Sequence, residues 1–194
     1  MSEPIASIGA ELDPRVERSR RVIQDAVIAE MASVGYGALT VEAVAKRAGV
    51  SKATIYRQWK NKLEIVESAL GSMSAEMELD DSLPVKERIT VMLTWLATFL
   101  ADSENPASAC MPALVSASHY DDDVRAFHHR FSGQRRQVLA DMIREGQAVG
   151  DIDPELHPDR TTEILVGPLF YRRLMTADPY PPADVGDLVA MILG

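Results

Sequence analysis

The chain has 194 residues, of which 46% are hydrophobic and 25% charged, and its formal net charge at pH 7 is −9. A chain of this length and composition can bury one or two hydrophobic cores. The sequence has no apolar run long enough to span a membrane and no positively charged leader, so we expect a cytoplasmic protein. Cys110 is the single cysteine, which excludes an internal disulfide.

The first helix is predicted to follow a flexible arm. Residues 1–14 mix Pro, Ser, Gly and acidic residues without a helical period, which is typical of a loose segment. From about Arg15, apolar residues recur at steps of three and four, and Gly35 and Gly37 should end the helix. Its predicted buried stripe consists of Ile23, Val27, Met31 and Val34.

The next stretch carries the start and stop signals of two short helices. Thr40 is a typical N-cap residue, Gly49 a typical helix end, and Ser51 a second N-cap two residues later. Two helices joined by so tight a turn form a helix-turn-helix, whose second helix can enter a major groove of DNA. Ile55 and Trp59, four residues apart, should face inward and seat that helix.

The outward residues of the second helix suit contact with DNA. Small and polar side chains in its first turn can meet base edges, whereas tyrosine and lysine can donate hydrogen bonds to phosphates. The candidate base contacts are Lys52, Ala53 and Thr54, and the candidate phosphate contacts are Tyr56, Lys60 and Lys62. The alternative is an ordinary helical hairpin with a solvated basic face.

An ordered series of residues extends from position 20 to position 66. It comprises Ile23, Ala26, Val27, Gly35, Tyr36, Thr40, Val41, Val44, Ala45, Ala48, Gly49, Val50, Ser51, Thr54, Ile55, Tyr56, Arg57, Trp59 and Lys62. This series resembles the DNA-binding domain of the TetR (tetracycline repressor) family. The resemblance implies an all-helical homodimeric transcription factor, usually a repressor, that leaves its operator when a small molecule fills a pocket in the C-terminal domain.

The resemblance also implies roles for single residues. By that similarity Thr40, Tyr56 and Lys62 match phosphate-contacting positions. Lys52, Ala53, Thr54 and Arg57 match positions at or near the bases, and Ser51 completes the candidate DNA-binding set.

The distribution of charge supports this interpretation. Residues 15–62 contain ten basic and four acidic residues, a local charge of +6, so the remaining residues carry −15. A basic segment on an acidic body attracts DNA at one end and repels it elsewhere. We therefore expect binding at a defined surface.

The remainder of the chain is also predicted to be helical. Asn61 can cap a fourth helix, with Glu64 at the reciprocal position, and residues 78–84 should form a loop. Further helices are predicted near 85–101, 106–118, 121–149, 158–175 and 182–193. No strand-like alternation competes, so we predict an all-α fold with a DNA-binding domain over 15–62 and an effector-binding and dimerisation domain over 63–194.

Aromatic and methionine residues in the second domain are candidates for an effector pocket, because apolar clefts between helices bind small molecules. For each residue the alternative is a place in the core. The candidates are Met92, Trp95, Phe99, Met111, Phe127, Phe131, Met142 and Phe170.

The stretch Gly167–Arg172 resembles the eighth helix of one TetR C-terminal subgroup. That similarity implies pairing with the last helix and with both symmetry mates in a four-helix dimer interface. The candidate interface residues are Leu165, Leu169, Arg172, Val189 and Ile192. The alternative is a kinked helix inside a monomer.

Other chemistry has less support. A His/Asp set from His119 through Asp121 to His128 and His129 invites a metal-sensing hypothesis, and Cys110 a redox one, but we assign no metal and no cofactor. The sequence contains no nucleophile elbow, no phosphate-binding loop and no zinc-protease motif. We therefore predict a repressor that binds a palindromic operator, with an activator or an all-helical small-molecule-binding enzyme as alternatives.

Overall fold

The computed structural model describes residues 14–73, 79–176 and 178–194. Over these residues the chain is built from helices without a β-strand, which confirms the predicted all-α class. The helices are α1 Pro14–Ala38, α2 Val41–Ala48, α3 Lys52–Tyr56, α4 Lys62–Met73, α5 Val85–Ala101, α6 Pro106–Ser118, α7 Asp122–Val149, α8 Pro158–Tyr171 and α9 Val185–Leu193. Residues 1–13 of the predicted arm and residue 78 of the predicted loop lie outside the described residues.

The first helix is interrupted near its end by a glycine. Gly35 has φ 75° and ψ 167°, a backbone conformation that side chains with a Cβ rarely adopt. Upstream of this break the predicted buried residues are confirmed, except that Val34 is 47% exposed and its predicted burial is wrong. Beyond the break, Tyr36 and Leu39 are buried in the core.

A first group of buried apolar residues, the head core, includes more than the DNA-binding segment. It joins residues of α1 to α4 with residues of α6 and of the first turns of α7. The contributions from α6 and α7 are Ala107, Cys110, Leu114, Val124 and Phe127. Consequently α6 packs as part of the head, along α1.

A second group, the body core, joins α5, the second half of α7, α8 and α9. Its fully buried side chains include Ile89, Leu93, Ile143 and Leu165. Phe99 of α5 packs against both cores. Because α7 has 28 residues and a length of about 42 Å, it reaches from the head core to the body core.

The C-terminal helices differ in detail from the prediction. The eighth helix ends at Tyr171 and continues as a π-helical turn, Arg172–Thr176, where the Thr176 hydroxyl donates a hydrogen bond to the Arg172 carbonyl at 2.8 Å. A side-chain hydroxyl that donates to a helix carbonyl in this way competes with the regular backbone hydrogen bond to that carbonyl. A 3-10 turn over Pro182–Asp184 precedes α9.

Candidate DNA-binding surface

Side-chain caps and one glycine set the helix-turn-helix, as predicted. The hydroxyl oxygen of Thr40 accepts a hydrogen bond from the Ala43 amide at 3.1 Å, which caps α2. Gly49 ends α2 with φ 66°, in the left-handed region that favours glycine. The hydroxyl oxygen of Ser51 accepts from the Thr54 amide at 3.1 Å and caps α3.

The recognition helix α3 is seated by its inward side chains. Ile55 is 0% and Trp59 4% exposed, which confirms their predicted burial. The helix ends at Tyr56, although the Trp59 amide still donates to the Ile55 carbonyl at 3.0 Å. On the outward side Thr40, Ser51, Lys52, Ala53, Tyr56, Arg57 and Lys60 are exposed, whereas Thr54 and Lys62 are half-buried. All nine candidate DNA-binding residues are therefore at least partly accessible to solvent.

Two hydroxyls at the start of α3 are coupled. The Ser51 and Thr54 side-chain oxygens lie 3.0 Å apart, and either can be the donor. If Thr54 donates to Ser51, its oxygen offers only lone pairs to a base; if Ser51 donates, the Thr54 proton remains available for a base acceptor. The orientation of the Ser51 hydroxyl therefore determines whether Thr54 has a free donor or only an acceptor.

The half-buried Lys62 is held against the end of α1. Its Nζ donates to the Tyr36 carbonyl at 3.0 Å and lies 4.2 Å from the centre of the Tyr36 ring. Burial lowers the pKa of Lys62, and the charge of Asp121 opposes that effect. Burial also raises the pKa of Tyr36 to about 12, with Asp121, Asp123 and Glu67 adding to the rise. Lys62 thus joins α4 to α1, a structural contact that the spacing of residues along the sequence does not reveal.

An ion pair links the two helices of the motif at its exposed end. Lys52 Nζ lies 2.7 Å from Glu42 Oε1, with 53% and 62% of the two side chains exposed. The hydrogen bond from Lys52 lowers the pKa of Glu42, and that contact raises the pKa of Lys52. Both groups therefore carry charge near neutral pH. The sequence pattern gave no sign of this role for Glu42, because ten residues and a turn separate it from Lys52.

Polar contacts also brace α4 against α1. Gln24 Nε2 donates to the Ser68 carbonyl at 3.1 Å and to the Ser68 hydroxyl at 2.8 Å. Arg20 donates to the same hydroxyl at 3.1 Å, and its guanidinium lies 5.5 Å from the centre of the Trp59 ring.

Asn61 caps α4 by accepting from the Glu64 amide at 2.9 Å, whereas the Glu64 carboxylate accepts from the Lys60 amide at 2.7 Å. The predicted capping box is thus displaced by one residue on its reciprocal side.

The candidate pocket residues are divided between the two cores. Phe127 and Phe131 form a tilted pair, 5.3 Å between ring centres, against the head core. Trp95 and Phe99 stack with ring centres 5.5 Å apart, and Trp95 is 40% exposed. Met92, Met142 and Phe170 pack in or against the body core, and Met111 is half-buried.

These residues do not line the open clefts found in the head. The two clefts, of about 290 and 420 Å³, lie on the α1–α2 face and are lined by Val22, Asp25, Ala26, Ala29, Glu30, Ala43, Lys46 and Arg47. Near the candidate pocket, the Arg135 guanidinium lies 3.4 Å from the centre of the Phe131 ring. Burial lowers the pKa of Arg135 to about 10, so it remains positively charged at neutral pH.

Three of the candidate dimer-interface residues are already buried within the single protomer. Leu165 and Leu169 are 0% exposed and Val189 is 3% exposed, all within the body core. A side chain that is already buried cannot cover further apolar surface against a second protomer. Ile192 and Arg172 are half-buried, and Arg172 pairs with Asp178.

Large apolar side chains nevertheless remain exposed on α8, the π-helical turn and α9. Ile164 is 57%, Tyr171 61%, Met175 72% and Met191 76% exposed. Ile164 and Tyr171 are seven residues apart and so share a helix face, which is adjacent to the face that carries Leu165. Because α8 is apolar on both faces, its sequence pattern did not show which face enters the core.

Cys110 and Asp121, which were considered for redox and metal sensing, each make a hydrogen bond with the backbone. Cys110 is fully buried, its thiol donates to the Ile28 carbonyl at 3.2 Å, and burial raises its pKa to about 12. Asp121 caps α7 by accepting from the Asp123 and Val124 amides. Among the described residues, no three His, Cys, Asp or Glu side chains are grouped so as to hold a metal ion.

The fold and this surface define a helix-turn-helix transcriptional regulator. Residues 23–69 match the family model described as bacterial regulatory proteins, tetR family, and residues 80–192 match the tetracyclin repressor-like C-terminal domain. The second match alone covers more than half of the chain. The protein belongs to the TetR family of transcriptional regulators.

Relatives and solved structures agree with this assignment. The chain is 30% identical over 178 residues to the uncharacterized HTH-type transcriptional regulator YdeS of Bacillus subtilis (strain 168), covering 91% of this chain and 88% of YdeS. It is 29% identical over 175 residues to the DNA-binding transcriptional repressor TetR of Mycobacteroides abscessus, with 82% and 83% covered. FadR from Bacillus subtilis, solved in complex with stearoyl-CoA, has the same fold, with a TM-score of 0.74, 22% identity, and 89% and 97% covered. In the described part of this chain, no helix is both long and apolar enough to cross a membrane.

Proposed function

We propose that the protein is a ligand-responsive repressor that binds a palindromic operator as a homodimer and is released by a small-molecule effector. The observation that carries this proposal is the exposed basic face of a capped helix-turn-helix on an otherwise acidic molecule. Such a surface is attracted to DNA phosphates, and the first turn of its recognition helix can reach base edges. The protein would act in the cytoplasm, without a metal or cofactor.

Some exposed residues of the head would contact DNA phosphates, and others would contact bases. Tyr56 and Lys60 would hold the backbone, and the Thr40 hydroxyl can donate its proton to a phosphate while its oxygen caps α2. Lys62 has N–H groups beyond the one that bonds the Tyr36 carbonyl, so it can also reach a phosphate. The proposed base-contacting set is Ser51, Lys52, Ala53, Thr54 and Arg57.

Dimerisation would use the exposed apolar side chains of the C-terminal elements. Ile164, Tyr171, Met175 and Met191 leave apolar surface in water, and surfaces of this kind commonly pair with another subunit. A two-fold dimer places the same surface of each protomer in contact and presents two heads. Heads about 34 Å apart would read a palindrome in successive major grooves.

The effector would bind in the body near the Trp95–Phe99 stack. Because Phe99 packs against both cores, a ligand that displaces it would alter how the head rests on the body. FadR of Bacillus subtilis shares the fold and has been solved with stearoyl-CoA, which supports ligand binding by this architecture. The ligand would release the operator if it binds more tightly to a head spacing that does not fit DNA.

The experiment that tests this proposal is selection of bound sequences from a random duplex library, followed by measurement of affinity and stoichiometry. We expect a palindromic site occupied by two chains. Lys60→Met should weaken binding to all sequences and reduce the slope of log K against log salt by about 0.9. A monomer that ignores duplex DNA at low ionic strength would contradict the proposal.

The response to ligand needs a separate measurement. A panel of small molecules can be screened by quenching of Trp95 fluorescence, and each hit tested for its effect on operator affinity. We expect hits to weaken operator binding, whereas an activator would bind more tightly with ligand. Phe99→Ala should lose most of the ligand response, because it removes the side chain that the ligand would displace.

A further inference from the structure

The Lys52–Glu42 ion pair is not required to satisfy buried groups. Both side chains are more than half exposed, so each would be well hydrated without the other. Exposed ion pairs add little to the free energy of unfolding. Stability therefore does not explain why this pair lies on the helix-turn-helix.

That position is the base-reading end of the head. Lys52 is the first residue of α3, and the N-terminal residues of a recognition helix are those that contact base edges. Glu42 extends from the first turn of α2 to reach it. A carboxylate at this end is repelled by the DNA phosphates. Its presence there is favourable only if a base offers it a hydrogen-bond donor.

One base pair offers the required pattern in the major groove. Guanine presents O6 and N7 as acceptors, and its partner cytosine presents the N4 amino group as a donor. An ammonium beside a carboxylate is the complementary arrangement. The 2.7 Å separation of Lys52 Nζ and Glu42 Oε1 is close to the separation of about 2.9 Å expected for hydrogen-bonded guanine O6 and cytosine N4. The four groups can therefore close a ring of hydrogen bonds without breaking the ion pair.

We propose that Lys52 and Glu42 act as one unit that reads a G·C base pair in each half-site. Lys52 donates to guanine O6 or N7, and Glu42 accepts from cytosine N4. A pair with guanine replaced by adenine and cytosine by thymine puts an amino group near the ammonium and the O4 acceptor of thymine near the carboxylate, so it is rejected. This inference rests on the proposed DNA-binding function and names two residues that set its specificity.

The first test compares variants on every single-base variant of the selected operator. Wild type should prefer G·C over A·T by about tenfold at one position of each half-site. Glu42→Ala and Lys52→Ala should each abolish that preference, and the double variant should lose little more than either single one, because the pair acts together. Asp25→Ala, which removes an equal charge from α1, outside the motif, should leave all base preferences unchanged.

The second test modifies single atoms of the DNA. N4-methylcytosine at that position places a methyl group where Glu42 would accept a hydrogen bond, so wild type should lose about tenfold in affinity and Glu42→Ala should lose little. Inosine in place of guanine keeps O6 and N7, and both proteins should tolerate it.

The outcomes separate this inference from the proposed function. If wild type binds a palindrome but Glu42→Ala keeps every base preference, the inference is wrong and the function stands. If Glu42→Ala tightens binding to all sequences equally, Glu42 acts only through its charge and the inference is again wrong. If wild type binds no duplex sequence, both fail.

Discussion

The head and the body are stabilised by similar apolar cores but present different surfaces to water. On the DNA-binding side of the head, Ile55 and Trp59 are buried and the exposed residues are polar, charged or small, apart from Tyr56. On α8 and α9 the core is also filled, yet Ile164, Tyr171 and Met191 remain exposed. Apolar residues in excess of what a core can hold indicate a partner, whereas a surface of donors and cations suits phosphates and bases.

The two regions also do not correspond to two segments of the chain. The predicted boundary after Lys62 separates the DNA-binding motif from the rest, but α6 packs in the head core and α7 contributes to both cores. We therefore propose a functional boundary at Lys62 and a packing boundary that crosses α7. Phe99 lies where the two cores meet, so it is the natural point for coupling between them.

The largest expected effect concerns the exposed surface of the body. Tyr171→Asp should convert the proposed dimer to monomers, because it places a charge in the proposed interface, and operator affinity should fall roughly a hundredfold or more as two-site binding is lost. Sedimentation velocity and operator titration measure the two effects. Leu165→Asp should instead unfold the protomer, since its side chain is fully buried. If the Tyr171→Asp protein remains dimeric, the dimer interface lies on another surface.

The next prediction compares the two cores directly. Ile55→Ala and Ile143→Ala each remove a fully buried side chain, so each should lower the free energy of unfolding by about 3 kcal/mol. Under conditions where both variants are folded, Ile143→Ala should keep operator affinity, whereas Ile55→Ala should lose it because α3 is no longer seated. Urea denaturation and operator titration supply the measurements. Equal losses of operator affinity would show that the head is not an independent DNA-binding region.

A smaller effect is expected at two matched glycines. Gly49 ends α2 in the head with φ 66°, and Gly150 ends α7 in the body with φ 85°. Replacing either by alanine should cost about 1 kcal/mol of stability, because a Cβ is disfavoured in the left-handed region. Thermal or urea denaturation should show similar losses. Operator affinity should change only for Gly49→Ala, and a change for Gly150→Ala would mean that the body sets the geometry of the head.

The smallest effect concerns alkaline pH. The folded head keeps the Tyr36 phenol protonated up to a pKa of about 12, whereas in the unfolded chain it titrates near its ordinary value of about 10. The free energy of unfolding should therefore fall as pH rises through this window. Cys110, whose pKa is also raised to about 12, acts in the same direction from a lower starting pH, and Lys62, whose pKa is lowered, acts in the opposite direction.

The comparison of variants isolates the contribution of Tyr36. Urea denaturation at pH 8 and pH 11 should show a smaller loss of stability for Tyr36→Phe than for wild type. Tyr120→Phe, a control whose side chain is 89% exposed, should follow wild type. If Tyr36→Phe loses as much stability as wild type between the two pH values, the phenol is not the group responsible.

Local signals in the sequence determined the helix-turn-helix. The caps at Thr40 and Ser51 and the left-handed Gly49 act over three or four residues, so their effect does not depend on the rest of the molecule. The inward direction of Ile55 and Trp59 follows from spacing in the same way. Residue order alone therefore predicts these features, and it also predicts the all-α class.

Only the tertiary structure decided which apolar face of α8 is buried, where α6 packs, and how Lys52 and Glu42 meet. Each depends on contacts between residues distant in sequence: the burial of Leu165 instead of Ile164, the Cys110 contact with Ile28, and an ion pair across a turn. Periodicity specifies that a helix has an apolar face, but the burial of that face is determined by competition among all helices for a limited core. That competition is a property of the whole chain, and no window of its sequence contains it.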